Sequence, residues 1–376
     1  GASDSDTEAD TETDTENDTE TDTDTRVDAD GDGVEAELDC DDADPEAWLA
    51  YDEAAGDLRS GYLTFCDGYC ARGLSGTLDL SSATAADVAA LGCLTSVGGS
   101  LDLRHNTTLT SLAGLDALET LGADVQIYNN RALVHLDALH RLGEIPGQLY
   151  VEANPALEAL DGLGAVTRLG GNLLLVENPS LTTLGGLGLL EEIGGGLFVD
   201  NDVSLADISD LTSLRWVEDG VFFANTALTD LSGLSALQHA GFLDLELNDR
   251  LTSLDGLGTL VELGSDLILY GNPSLTDLSA LHGLTTVGGV LLIGENPALT
   301  TFDGLDALSA VHDDMSIQGN TSLSHLHDLA SLETLDGDLI ISNHAALCED
   351  AVLDLVAQLK DWTGALTQVG NTGVCP

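Results

Sequence analysis

Asp28, Asp30, Asp32, Gly33 and Asp39 occupy places one, three, five, six and twelve of a twelve-residue stretch. In such a loop, alternating carboxylates converge on one hard cation while the glycine permits the sharp turn, so calcium is the expected cofactor. Place twelve holds Asp39 instead of the longer glutamate, which weakens bidentate closure. The plainer reading is an acidic linker with accidental spacing. A second set of carboxylates, Glu152, Asp200, Asp244 and Glu246, forms no obvious acid–base pair; glycoside cleavage takes two such groups about 5–9.5 Å apart. A third constellation is His325 and His327 around Leu326, with Asp303 one repeat earlier. These can ligate a metal, but outward histidines are more often merely solvated. The sequence holds no nucleophile elbow, zincin helix, P-loop or dinucleotide fingerprint, and an enzyme is not expected.

The elements that must position these residues are repetitive. From Leu101 the chain recurs with a period of about 24, with units starting at Val125, Leu149, Leu173, Leu197, Val221, Leu243, Leu267, Leu291 and Met315. A looser unit precedes them at Leu78 and a degenerate one follows at Leu339. That is a repeat architecture of about ten full turns with capped ends. Places one and three of each unit are apolar, so a short strand turns them inward and place two outward. Leucine then recurs every third residue, as at Leu251, Leu254, Leu257, Leu260 and Leu263; that spacing suits extended or short 3₁₀ segments and not a long amphipathic helix. Place six is usually asparagine (Asn106, Asn130, Asn154, Asn178, Asn248, Asn272, Asn296, Asn320). One buried amide per turn satisfies backbone groups left unpaired where the strand ends. Prolines 155, 179, 273 and 297 stiffen the turn that follows, and Gly-Gly, Gly-Asp or Gly-Ser pairs before each strand supply a tight corner.

The units LYVEANPALEALDGLGAVTRLGGN and LILYGNPSLTDLSALHGLTTVGG resemble the receptor L-domain type of leucine-rich repeat over residues 74–376. That resemblance implies a mainly β, right-handed leucine-rich-repeat solenoid of the kind found in receptor ectodomains and bacterial surface proteins. It leaves the ligand open, because fold alone does not set function. The segment around Asp39-Cys40-Asp41-Asp42 resembles thrombospondin type 3 modules and the MopE-like DCDD motif. The second of these is associated with copper, but the segment lacks the soft or imidazole ligands that copper prefers, so calcium remains the expectation.

Four segments follow: a disordered Thr/Asp/Glu stalk over 1–26, an Asp-rich segment and N-terminal cap over 27–73, the solenoid over 74–347, and a capping helix with a disulfide loop over 348–376. Val352, Leu355, Val356, Leu359 and Trp362 give the last segment its helical spacing. All six cysteines, Cys40, Cys66, Cys70, Cys93, Cys348 and Cys375, lie near the ends. An even, terminal set reads as stapled caps in an oxidising compartment, with free core thiols as the alternative. Cys348–Cys375 closes one end; at the other, Cys70–Cys93 is a candidate that leaves Cys40 for Cys66, although four cysteines admit three pairings.

Sixty-six acidic residues against ten basic ones give a net charge of −56. Such a surface repels nucleic acid and anionic lipid. No apolar run spans a bilayer. The chain begins Gly-Ala-Ser-Asp without Met, from which a removed leader, and a lipid anchor just upstream of Gly1, are expectations. Asn106-Thr107-Thr108 and Asn320-Thr321-Ser322 match the glycosylation sequon. The outward strand places carry an apolar stripe: Tyr150, Leu174, Phe198 and Phe222 at place two, with Tyr128, Val176 and Tyr270 at place four. Exposed apolar surface of this kind marks an interaction site, or else is covered by other chain. The expected function is a secreted or surface-displayed binding and adhesion module that recognises protein or glycan through its sheet face. The alternatives are a polysaccharide-active β-helix enzyme and a structural spacer.

Overall fold

The computed structural model describes residues 49–375. The 1–26 stalk, the aspartates of the 28–39 loop and Cys40 lie outside the described residues. Thirteen parallel strands follow one another in unbroken order from Leu78–Asp79 to Leu366–Val369. Their register is that of the repeat: Leu101 stands against Val125, Val125 against Leu149, and Leu149 against Leu173. Places one and three are fully buried in turn after turn, as at Leu149 and Val151 or Leu267 and Leu269. Burying one such side chain is worth about 1.5–3 kcal/mol, so the leucine column is the main stabilising term.

Two-residue strands such as Glu144–Ile145, Arg168–Leu169 and Glu192–Ile193 form a second parallel ladder on another side of the coil. Short 3₁₀ turns, among them Asp137–Leu139, Asp161–Leu163 and Ser279–Leu281, make the corners, in keeping with the three-residue leucine spacing. The fold is therefore a leucine-rich-repeat solenoid with few helices.

The glycines before each strand sit at the expected bend and do a second job there. A Cβ on Gly122 would fall 1.9 Å from the Gly98 carbonyl oxygen, and one on Gly170 would fall 1.9 Å from that of Pro146. Their role is close stacking of one turn on the next. The left-handed residue in each turn is place five, just before the place usually held by asparagine: Asn129, Ala153, Glu177, Asn201, Asn225 and Leu247 all have φ of 52–58°.

The ends are covered. Leu49–Ala54 and Tyr69–Leu74 continue the second ladder beyond Leu94–Val97, and Tyr62 and Phe65 join the core. A short helix, α1 (Ala85–Ala89), starts at a Thr84–Asp87 capping box. The disulfide here is Cys66–Cys93, with a Cα separation of 5.6 Å, and not Cys70–Cys93. Arg72 stands against Leu94, so Cys93 is level with Ala71, while Cys66 folds back from the turn before the strand. Cys70 is also disulfide-bonded, and no described cysteine is free. At the other end helix α2 (Glu349–Gln358) buries Val352 and Leu355, and Cys348–Cys375 closes the loop. Leu359 and Trp362 also pack on the core but lie past the helix end, where the chain adds a thirteenth strand to the sheet. No described helix is long and apolar enough to cross a membrane.

Candidate functional site: the sheet face and its edge

One residue of each turn builds the internal frame of the face. The Asn154 side-chain oxygen accepts from the Asn130 backbone N–H at 2.9 Å, and its amide donates to the carbonyls of Ile127 (2.9 Å) and Glu152 (3.0 Å). Asn178 repeats the pattern, and Asn272 and Asn296 repeat the accepted bond and the donation to the preceding turn. The ladder buries both sequon asparagines, and Asn320 donates its amide to Ile293, so the folded chain presents neither for glycosylation.

The ladder breaks at two consecutive turns. Asp202 accepts from the Asn178 N–H at 2.5 Å, but its second oxygen stands where the neighbouring turns carry a donor, and it is buried without a partner. Burial pushes this carboxyl up to about 7 against the pull of the Asn178 hydrogen bonds. The next place is Thr226, whose hydroxyl donates to the Asn248 side chain at 2.7 Å. That turn is also short: Val221 stands against Leu243, 22 residues on. Its strands, Trp216–Ala224 and His239–Glu246, are the longest of the sheet and run the two ladders together, with a bulge between Val217 and Gly220.

Tyr150, Leu174, Phe198 and Phe222 stand side by side in register on the outward face, each half-buried by its neighbours. Phe242, which the repeat pattern alone did not single out, joins them at 6.1 Å from Phe198, ring centre to ring centre. The rings lie on a glycine floor. A Cβ on Gly196 would meet the Phe198 ring at 2.3 Å, and one on Gly220, at φ +138°, would meet the Phe242 ring at 2.6 Å. Val176 lies in the adjacent row between Glu152 and Asp200. Tyr128 caps that row beside Glu152. Tyr270 is apart from the cluster, exposed between Glu246 and Gly294.

Asp244 interrupts the apolar row between Phe222 and Ile268. One of its oxygens is shielded and has no hydrogen-bond partner. Burial, reinforced by Glu246 and Asp266, raises its carboxyl to about 7. Burial followed by Glu177 also raises Glu152.

Beside this face runs a groove of about 440 Å³, floored by the left-handed residues Asn129, Ala153, Glu177 and Asn201 and walled by Pro155, Pro179 and Val203. A hollow of about 210 Å³ continues from Val203 past Thr226 to Leu247 and Arg250. The signal for this edge was present in the sequence as the residue before each asparagine and the proline after it. His325 and His327 do come together, but with Asp328 as their acidic companion in place of Asp303, which lines a separate hollow with Asp277 and Thr301.

The arrangement belongs to the class of leucine-rich-repeat solenoids with an aromatic sheet face. No family model matches the chain, and no curated protein matches it by sequence. Among solved structures it is similar to an internalin, InlF, from Listeria monocytogenes, at 16% identity and a TM-score of 0.34, over 77% of this chain and 86% of that one.

Proposed function

We propose that the chain is a secreted or surface-displayed module that binds a partner protein through its sheet face. The observation carrying this reading is the in-register row Tyr150–Leu174–Phe198–Phe222, with Phe242 beside it, on an otherwise acidic molecule. Aromatic side chains on a rigid sheet supply contact area at low entropic cost, and such anchors dominate protein interfaces. Asp244 within the row, and Glu152, Asp200 and Glu246 along its margin, select a cationic partner surface. An incoming guanidinium or ammonium would meet both the shielded carboxylate and the faces of Phe222 and Phe242. The resemblance to receptor L-domains and the stapled ends fit an extracellular setting. In this reading the acidic 1–26 segment holds the rod off the cell surface, and Asp28, Asp30, Asp32 and Asp39 order calcium at the junction. Enzymatic use of Asp244 as a general acid beside Glu246 is the weaker reading, because the groove and hollow described above lie along the left-handed edge and not over Asp244.

The test is an array of basic and acidic protein ectodomains, with neutral and anionic glycans, probed with the full chain and with its Tyr150→Ser/Phe198→Ser variant. Basic ectodomains should bind, and the variant should lose about 30-fold or more in affinity, the effect of removing one hot-spot residue, while its melting temperature stays close to that of the parent. Retained binding by the folded variant, or a preference for anionic glycans, overturns the assignment.

A further inference from the structure

The C-terminal corner of the solenoid holds a cluster unrelated to the sheet face. His325, His327 and Asp328 present one ring nitrogen each and a carboxylate oxygen, all within 4.8 Å of one another. The two imidazoles stack at 3.7 Å between centres and 27° between planes. His327 Nε2 lies 3.2 Å from one Asp328 oxygen and His325 Nδ1 lies 3.5 Å from the other. His325 Nδ1 is nevertheless shielded from solvent and makes no hydrogen bond. A buried polar atom without a partner costs free energy that a bound ion would recover.

The acid is held in place. Asp328 is buried, and one of its oxygens accepts from the Phe302 backbone N–H at 2.9 Å, the kind of second contact that fixes a ligating carboxylate. The 3₁₀ turn His327–Leu329 begins just after His325 and swings Asp328 back beside it, since residues three apart eclipse in that geometry. The group opens on a cavity of about 320 Å³ between this corner and α2, where Ala351, Asp354, Leu355 and Gln358 form the far wall. Asp354 adds a second negative charge there.

We propose that His325, His327 and Asp328 form a binding site for a divalent transition metal such as zinc, with solvent completing the coordination. Two imidazole nitrogens and one carboxylate are a donor set for zinc, copper or nickel, whereas calcium and magnesium take oxygen donors only. Three protein donors leave a tetrahedral ion one open place, facing the cavity. His327 is largely exposed, so its ring has room to turn out of the stack and aim a nitrogen at the ion that His325 and Asp328 face. The site differs in place and in donor chemistry from the aspartate loop at residues 28–39.

The experiment uses the untagged full chain at pH 7.5 in excess calcium, which occupies the oxygen-only sites of so acidic a surface. Zinc titrated by calorimetry should bind at one tight site per chain and raise the melting temperature. Copper bound at that stoichiometry should show nitrogen hyperfine coupling in its electron paramagnetic resonance spectrum. The His325→Ala/His327→Ala variant leaves the Asp328–Phe302 contact intact, so its metal-free melting temperature should stay near the parent's. In that variant the tight site should weaken by about tenfold or more and the nitrogen coupling should vanish. Absence of a tight site in the parent overturns the proposal, as does zinc binding of undiminished affinity, or nitrogen coupling, in the folded variant.

Discussion

The turns carrying Asn130, Asn154 and Asn178 and those carrying Asp202 and Thr226 share one strand register, yet they differ in how completely their polar groups are matched. In the regular turns each asparagine both accepts and donates to its neighbours. In the irregular pair a carboxylate oxygen is stranded inside, and the repeat loses two residues. The same stretch carries the Phe198–Phe222–Phe242 cluster and, on the strand of Phe242, Asp244 with its own unpartnered oxygen. Local rules are broken where the outward face is most distinctive, as expected when recognition and stability compete for the same residues.

The sharpest way to break this contrast is to carry the irregular feature into a regular turn. Asn154→Asp would replace the amide's hydrogen bonds to Ile127, Glu152 and Asn178 with a buried charge facing the Ile127 carbonyl. A loss of roughly 3–5 kcal/mol at pH 8 is expected in denaturant melts, shrinking in acid as the carboxyl protonates.

The reverse exchange, Asp202→Asn, should stabilise. Because the folded carboxyl sits near 7 and the unfolded one near 3.8, the folded chain holds the proton more tightly. Stability therefore falls as pH rises from about 4 to about 7, and the full cost stands above that. Asp202→Asn should recover roughly 2–4 kcal/mol at pH 8, little at pH 4, and should flatten the slope between them. A variant no more stable than the parent at pH 8 would show that the stranded oxygen is matched in solution.

The smallest effect concerns Leu247, a branched residue at φ 55° in the irregular stretch, where the next turn has Gly271 at φ 67°. Leu247→Gly should stabilise by about 0.5–1 kcal/mol through relief of left-handed strain, measured as a rise in melting temperature. A fall would mean that the leucine side chain, packed beside Gly271, outweighs its backbone cost.

Much of this frame was legible beforehand, because one leucine pattern repeated through turn after turn has a single consistent burial solution. Strand starts, the asparagine ladder and the apolar row at place two all follow from that periodicity. Features that depend on departures from the period did not follow. Phe242 stands level with Gly220, at the place before the strand where the two preceding units carry glycine, so it breaks the pattern by residue type. Asp303 is level with His327 by counting, but the 3₁₀ corner selects Asp328 by local geometry. The Cys66–Cys93 link turns on how a non-repeating segment folds back, and four cysteines carry no rule for choosing. Glycines before the strands serve inter-turn approach, a distance that no single unit can reveal.

The ladder asparagines bond within their own turn and no farther than the turn before and the turn after. A whole regular unit can therefore be excised or duplicated in frame with every polar group still matched at the new junction. The rod is in that sense adjustable in length by recombination between its own repeats, except across Asp202 and Thr226, where a spliced turn would meet a neighbour of different size and chemistry.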